Sequence, residues 1–135
     1  MRHVGRLIFI CVTVLRYGLD ELALSGPNLA FEVRAGQEPR RSEISAAALG
    51  LAPAAREAVL GGDVAANVAT ARAIVGGEEQ GPKRDIVLLN AAAALVAADR
   101  AGDLREGLEL ARASLRSGAA RERMERMVAA SRQAS

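Results

Sequence analysis

Aromatic residues are nearly missing from this chain: Phe9, Tyr17 and Phe31 are the only three in 135 residues, and there is no tryptophan. Half of the chain is nominally hydrophobic, but alanine supplies much of that half, so each buried position removes less apolar area from water than usual. A thin core of small residues is expected, in one domain at most. Cys11 is the only cysteine, which excludes an intramolecular disulfide and any paired-cysteine metal site. His3 is the only histidine and lies at the N-terminus, so neither a Ser-His-Asp triad nor a histidine metal site is indicated. Lys83 is the only lysine; the net charge of +2 rests on arginines interleaved with Asp and Glu, with no aromatic platform beside them. That pattern argues against nucleic acid as a partner. Chemistry in this chain therefore rests on carboxylates, arginines and backbone groups.

A long apolar run is also lacking. Leu7–Leu15 is too short to span a membrane, and Arg16, Asp20 and Glu21 follow where a secretory signal needs a neutral cleavage region. Its β-branched residues favour a buried strand instead. A turn at Ser25-Gly26-Pro27-Asn28, a strand over Leu29–Arg34, a hairpin turn at Ala35-Gly36-Gln37 and a return strand over Arg40–Ile44 complete a small β meander.

From Ala46 the pattern turns helical. A short helix is predicted over Ala54–Leu60, and a second over Val64–Val75, capped by Asp63 and stopped by Gly76-Gly77. Gly81-Pro82 opens a third, whose run from Asp85 to Ala98 is apolar almost all round except for Asn90, an amide that needs hydrogen-bond partners. Asp103 caps a fourth, with Leu104, Leu108, Ala111 and Leu115 at helical spacing and Gly118 as its end; a fifth covers Ala119–Ala130. The fold class is α/β and mostly helical, an apolar strand and a small meander followed by four to five helices. Residues 1–130 form the domain and 131–135 a disordered tail.

The segment with most chemistry is Tyr17-Gly18-Leu19-Asp20-Glu21-Leu22, two adjacent carboxylates on a glycine turn after the apolar strand. Mg²⁺ prefers oxygen ligands, keeps much of its water and is commonly held by one or two carboxylates together with substrate phosphates. Asp20 and Glu21 suit that role, although acidic residues in a turn are ordinarily just solvated.

GLDEL at Gly18–Leu22, SGP at Ser25–Pro27, LGL at Leu49–Leu51, GGDVAAN at Gly61–Asn67 and GPKRDIVLLNAAAAL at Gly81–Leu95 occur in this order. Together they resemble the C-terminal part of an anthranilate phosphoribosyltransferase, from about Gly18 to about Val128, with the first 15 or so residues outside the resemblance. The resemblance implies the C-terminal part of a phosphoribosyltransferase α/β domain. It implies Mg²⁺-dependent transfer of phosphoribose from phosphoribosyl diphosphate to anthranilate in tryptophan biosynthesis, in the cytoplasm. Asp20 and Glu21 carry over as metal ligands, and the motifs around Asn67 and Asn90 as scaffold. No catalytic side chain carries over, because the family's glycine-rich loop and its lysine-histidine-glycine-asparagine segment are not among these residues. A truncated chain, inactive alone, is therefore expected; the alternative is a non-catalytic module that docks on a separately encoded N-terminal portion.

Overall fold

The computed structural model describes residues 9–12, 21–33 and 36–133. Three strands come first, β1 (Phe9–Val12), β2 (Pro27–Val33) and β3 (Arg40–Ser45), then 3₁₀ turns at Ala47–Leu49 and Arg56–Val59. Four helices follow, α1 (Val64–Gly76), α2 (Pro82–Ala97), α3 (Leu104–Arg116) and α4 (Ala119–Gln133). The sheet order is β1-β2-β3 and both pairings are antiparallel, with Cys11 opposite Phe31 and Asn28 opposite Ile44. β1 thus lies within the expected apolar strand Leu7–Leu15, whose remaining residues fall outside the described ones. At the far end of β2, Glu32 faces Arg40 across the ladder and the two form an ion pair at 2.9 Å.

Local chemistry accounts for most helix boundaries. Asp63 accepts from the Ala66 amide at 2.8 Å and Asp103 from the Glu106 amide at 2.8 Å, each satisfying a first-turn N–H that has no partner within its helix. Gly77 ends α1 in the left-handed region at φ 87°, which costs a glycine little. Pro82 is the first residue of α2, so this helix starts before Asp85 and is longer than its apolar run.

Three expectations are corrected. The helix expected over Ala54–Leu60 is only the 3₁₀ turn Arg56–Val59: seven residues between Pro53 and Gly61-Gly62 cannot offset the cost of nucleating an α-helix. Pro27 and Asn28 belong to β2 instead of a turn, and the bend lies before them at Leu24, Ser25 and Gly26, the last at φ 70°. Helix α4 runs to Gln133, so Ser131, Arg132 and Gln133 are helical where the sequence suggests a disordered tail; the Ser131 hydroxyl donates to the Val128 carbonyl within that last stretch.

The core is thin, as the composition implies. It gathers Leu22 and Leu24, Ala46 and Leu51, Leu88, Leu89, Ala92 and Ala93 of α2, and Leu108 and Ala111 of α3. Phe31, on β2, is only half-buried. Helices α2 and α3 meet where Gly107 faces Ala92: a Cβ on Gly107 would lie 2.7 Å from the Ala92 carbonyl oxygen. That neighbour is backbone and cannot rotate away, so a methyl group there has to push the helices apart. Helix propensity alone favours alanine over glycine by about 1 kcal/mol. Overpacking a tight contact costs about 1–3 kcal/mol. Gly107→Ala is therefore expected to lower the thermal melting temperature, against the direction of propensity, in a circular-dichroism melt.

Candidate functional site

Directly after Glu21 the chain passes through the interior. Leu22, Ala23 and Leu24 are 0%, 1% and 4% exposed, yet they lie in none of the three strands, so no ladder satisfies their peptide groups. Two asparagine side chains do so. On α2, Asn90 accepts from the Leu22 N–H through Oδ1 at 2.9 Å and donates through Nδ2 to the Leu22 carbonyl at 3.0 Å. A further bond from Nδ2 reaches the Ile86 carbonyl, one turn earlier on the same helix, at 3.0 Å. From β2, Asn28 treats the next residue in the same way. Its Oδ1 accepts from the Ala23 N–H at 2.7 Å, and its Nδ2 donates to the Ala23 carbonyl at 3.0 Å and to the Ile44 carbonyl of β3 at 3.2 Å.

Asn28 is fully buried and is the only buried polar residue among the described ones. Every buried side-chain nitrogen and oxygen among the described residues has a partner. A third asparagine repeats the arrangement elsewhere: Asn67 accepts from the Gly62 N–H at 2.9 Å and donates to the Gly62 carbonyl at 3.0 Å, exposed to solvent. A Cβ on Gly61 would lie 2.6 Å from the Asn67 oxygen, the end of an exposed side chain.

Of the two carboxylates singled out in the sequence, Glu21 is exposed and covalently adjoins the residue that Asn90 holds. Asp20 lies outside the described residues. No group of three or more His, Cys, Asp and Glu is gathered for a metal among the described residues. A cleft of about 420 Å³ between β2–β3 and the connection from α2 to α3, lined in part by Phe31, Arg40, Asp99 and Arg105, does not include Glu21. Asn90 stands out in the sequence as an amide in need of partners, whereas Asn28 follows Ser25-Gly26-Pro27 and looks like part of a turn. No local signal marks it: alternation in the sequence groups Leu29, Phe31 and Val33 as the apolar face and leaves Asn28 with Glu32 on the other, yet Asn28 and Ala30 are the buried pair.

The family described as "Glycosyl transferase family, a/b domain" matches residues 4–121. The chain belongs to this family. The match begins well before Gly18, so it takes in the apolar strand, which the motif resemblance left outside. The chain is 68% identical over 114 residues to the anthranilate phosphoribosyltransferase of Roseiflexus castenholzii (strain DSM 13941 / HLO8), covering 84% of this chain and 34% of that one. With the anthranilate phosphoribosyltransferase of Chloroflexus aggregans (strain MD-66 / DSM 9485) the identity is 61% over 115 residues, covering 85% and 34%. The crystal structure of anthranilate phosphoribosyltransferase from Thermus thermophilus is similar in fold, with a TM-score of 0.74 and 41% identity over 83% of this chain and 32% of that one. The Saccharomyces cerevisiae enzyme in complex with PRPP and Mg has a TM-score of 0.72 at 19% identity, over 80% and 31%, a likeness of fold alone. This member of the family thus spans about a third of the length of the curated relatives it matches.

Leaving a buried peptide group without a partner costs about 1–3 kcal/mol. Asn90→Ala leaves two such groups, the Leu22 N–H and carbonyl, and is expected to destabilise the chain by about 2–6 kcal/mol and to remove the hydrogen-exchange protection of the Leu22 amide. Asn67→Ala, at an exposed position, is expected to cost less and to leave Leu22 protected. Site-resolved amide exchange by NMR checks both.

Proposed function

We propose that this chain supplies the Mg²⁺-holding part of an anthranilate phosphoribosyltransferase, which moves phosphoribose from phosphoribosyl diphosphate to the amine of anthranilate. The observation that carries this reading is an exposed carboxylate, Glu21, at the start of a buried segment fixed by two asparagines, in a chain 68% identical to an anthranilate phosphoribosyltransferase.

The donor set suits the metal. Two adjacent carboxylates without histidine or thiolate offer hard oxygens only, enough for Mg²⁺ that keeps its waters and shares the phosphates of its substrate. Asp20 and Glu21 are the residues that would hold it. Bound there, Mg²⁺ supplies charge neutralisation to the departing diphosphate. The rest of this chain's part is orientation: Asn90 and Asn28 fix the peptide groups next to Glu21, so that little conformational freedom is lost when a ligand binds. Cytoplasmic location goes with this reading; among the described residues no helix is long and apolar enough to cross a membrane.

The diphosphate-cradling glycine loop and the acceptor-binding groups of the family are not among these 135 residues. In this reading the 135 residues are inactive alone, and groups from outside them complete the site. A second reading, a non-catalytic module that docks on a separately encoded N-terminal portion, draws on the exposed apolar residues Leu60, Val64 and Val68 around the start of α1. Anthranilate fluorescence separates the two when followed with phosphoribosyl diphosphate and Mg²⁺, using this chain alone, this chain with a separately made N-terminal portion of a relative, and the two fused. Turnover only in the fusion supports a segment of one enzyme, and turnover in the simple mixture supports docking. No turnover in any arrangement refutes both. In whichever arrangement is active, Glu21→Gln is expected to lower kcat/KM by roughly 10²-fold, the scale of losing one preorganised electrostatic contact.

A further inference from the structure

We infer that Asn90 is a positioning residue for the metal: by holding both peptide groups of Leu22 from helix α2, it sets the direction in which Glu21 presents its carboxylate. This inference rests on the Mg²⁺ reading of Glu21 given above. The geometry carries it. Glu21 is exposed, whereas the next residue is fully buried and held by Asn90 at 2.9 and 3.0 Å. A carboxylate one residue from such an anchor inherits its backbone direction from it.

The anchor itself is rigid. The Asn90 amide is tied back to the Ile86 carbonyl at 3.0 Å, which fixes its rotamer, and α2 carries Leu88, Leu89, Ala92 and Ala93 in the core. Partners that orient a metal's ligands without touching the metal typically contribute about 10–100-fold to its affinity. Asn67 provides an internal comparison, since it makes the same pair of bonds to the peptide groups of Gly62 without adjoining either carboxylate. A role that is merely structural would make Asn67 and Asn90 alike in their effect on the metal once each variant is folded.

The test uses the 135-residue chain and Mn²⁺ alone, titrated by electron paramagnetic resonance. Asn90→Ala is expected to weaken Mn²⁺ binding at least about tenfold while Asn67→Ala leaves it within about twofold of the unsubstituted chain, both variants being folded by circular dichroism. Should Asn90→Ala not fold, Asn90→Ser, which keeps a hydroxyl in the same space, takes its place. The unsubstituted chain gives a readout independent of any variant: Mn²⁺ is expected to broaden the NMR signals of the Asn90 side-chain amide before those of Asn67. Equal weakening by the two variants, or no weakening by either, overturns the positioning role and leaves the metal reading standing; broadening of Asn67 first places the ion away from Glu21 and overturns both. Absence of Mn²⁺ binding by the unsubstituted chain, or binding that Glu21→Gln leaves unchanged, overturns the metal reading and this inference with it.

Discussion

The peptide groups of Leu22 and Ala23 are the constraint on which the rest of the arrangement depends. Both residues are buried, both lie outside the sheet, and each presents an N–H and a carbonyl that need partners. Four such groups left unsatisfied, at about 1–3 kcal/mol each, sum to about 4–12 kcal/mol, which is the size of a domain's whole stability of about 5–15 kcal/mol. The segment therefore occupies the interior only because Asn90 and Asn28 are there to meet it. Its leucines in turn join the core with α2 and α3, so the polar contacts set the register in which Leu22 and Leu24 are buried.

What could be read from the sequence was mostly what is local. Asp63 and Asp103 announce their helices because a cap acts on amides three residues on, and Gly77 and Gly118 announce ends because a left-handed backbone disfavours any side chain. Asn90 was legible as an amide in want of partners, but its partner Leu22 is 68 residues away and no local pattern points to it. Asn28 is hidden in the sequence because it follows the turn residues Ser25-Gly26-Pro27 and because the apolar alternation of β2 falls on Leu29, Phe31 and Val33, leaving Asn28 on the face that looks polar. The short helix expected over Ala54–Leu60 failed for a related reason: helical periodicity over seven residues says little when proline and glycine bound it. At the candidate site, the carboxylate pair stood out in the sequence, while the device that fixes the neighbouring backbone emerged only in three dimensions.

Rigidity is unevenly distributed. Helices α2 and α3 supply much of the core, whereas α1 buries only Ile74 and α4 buries nothing among its described residues. Val64, at 80% exposure, and Met127, at 66%, show how little of their apolar surface those two helices cover. Segments with few buried contacts open at lower free-energy cost, so α1 and α4 belong to the less stable part of the fold and α2 with α3 to the more stable part. Glu21 is attached to the latter, through Leu22.

Why asparagine, and why from a helix, follows from what a helix can offer. The interior of α2 has its backbone N–H and carbonyl groups committed to its own ladder, so it cannot pair with an extended segment as a strand would. An asparagine side chain ends in the same amide chemistry as the peptide bond, with a carbonyl oxygen and N–H donors at nearly the spacing of a strand neighbour. Asn90 therefore gives α2 a single peptide-like edge, facing Leu22 alone, and Asn28 gives β2 a second one, facing Ala23. Leucine in either place would fill the space and satisfy neither group, whereas aspartate would accept from the N–H but oppose the carbonyl. The requirement for a donor and an acceptor on one short side chain selects asparagine at both positions, and it ties the backbone beside Glu21 to helix and sheet at once.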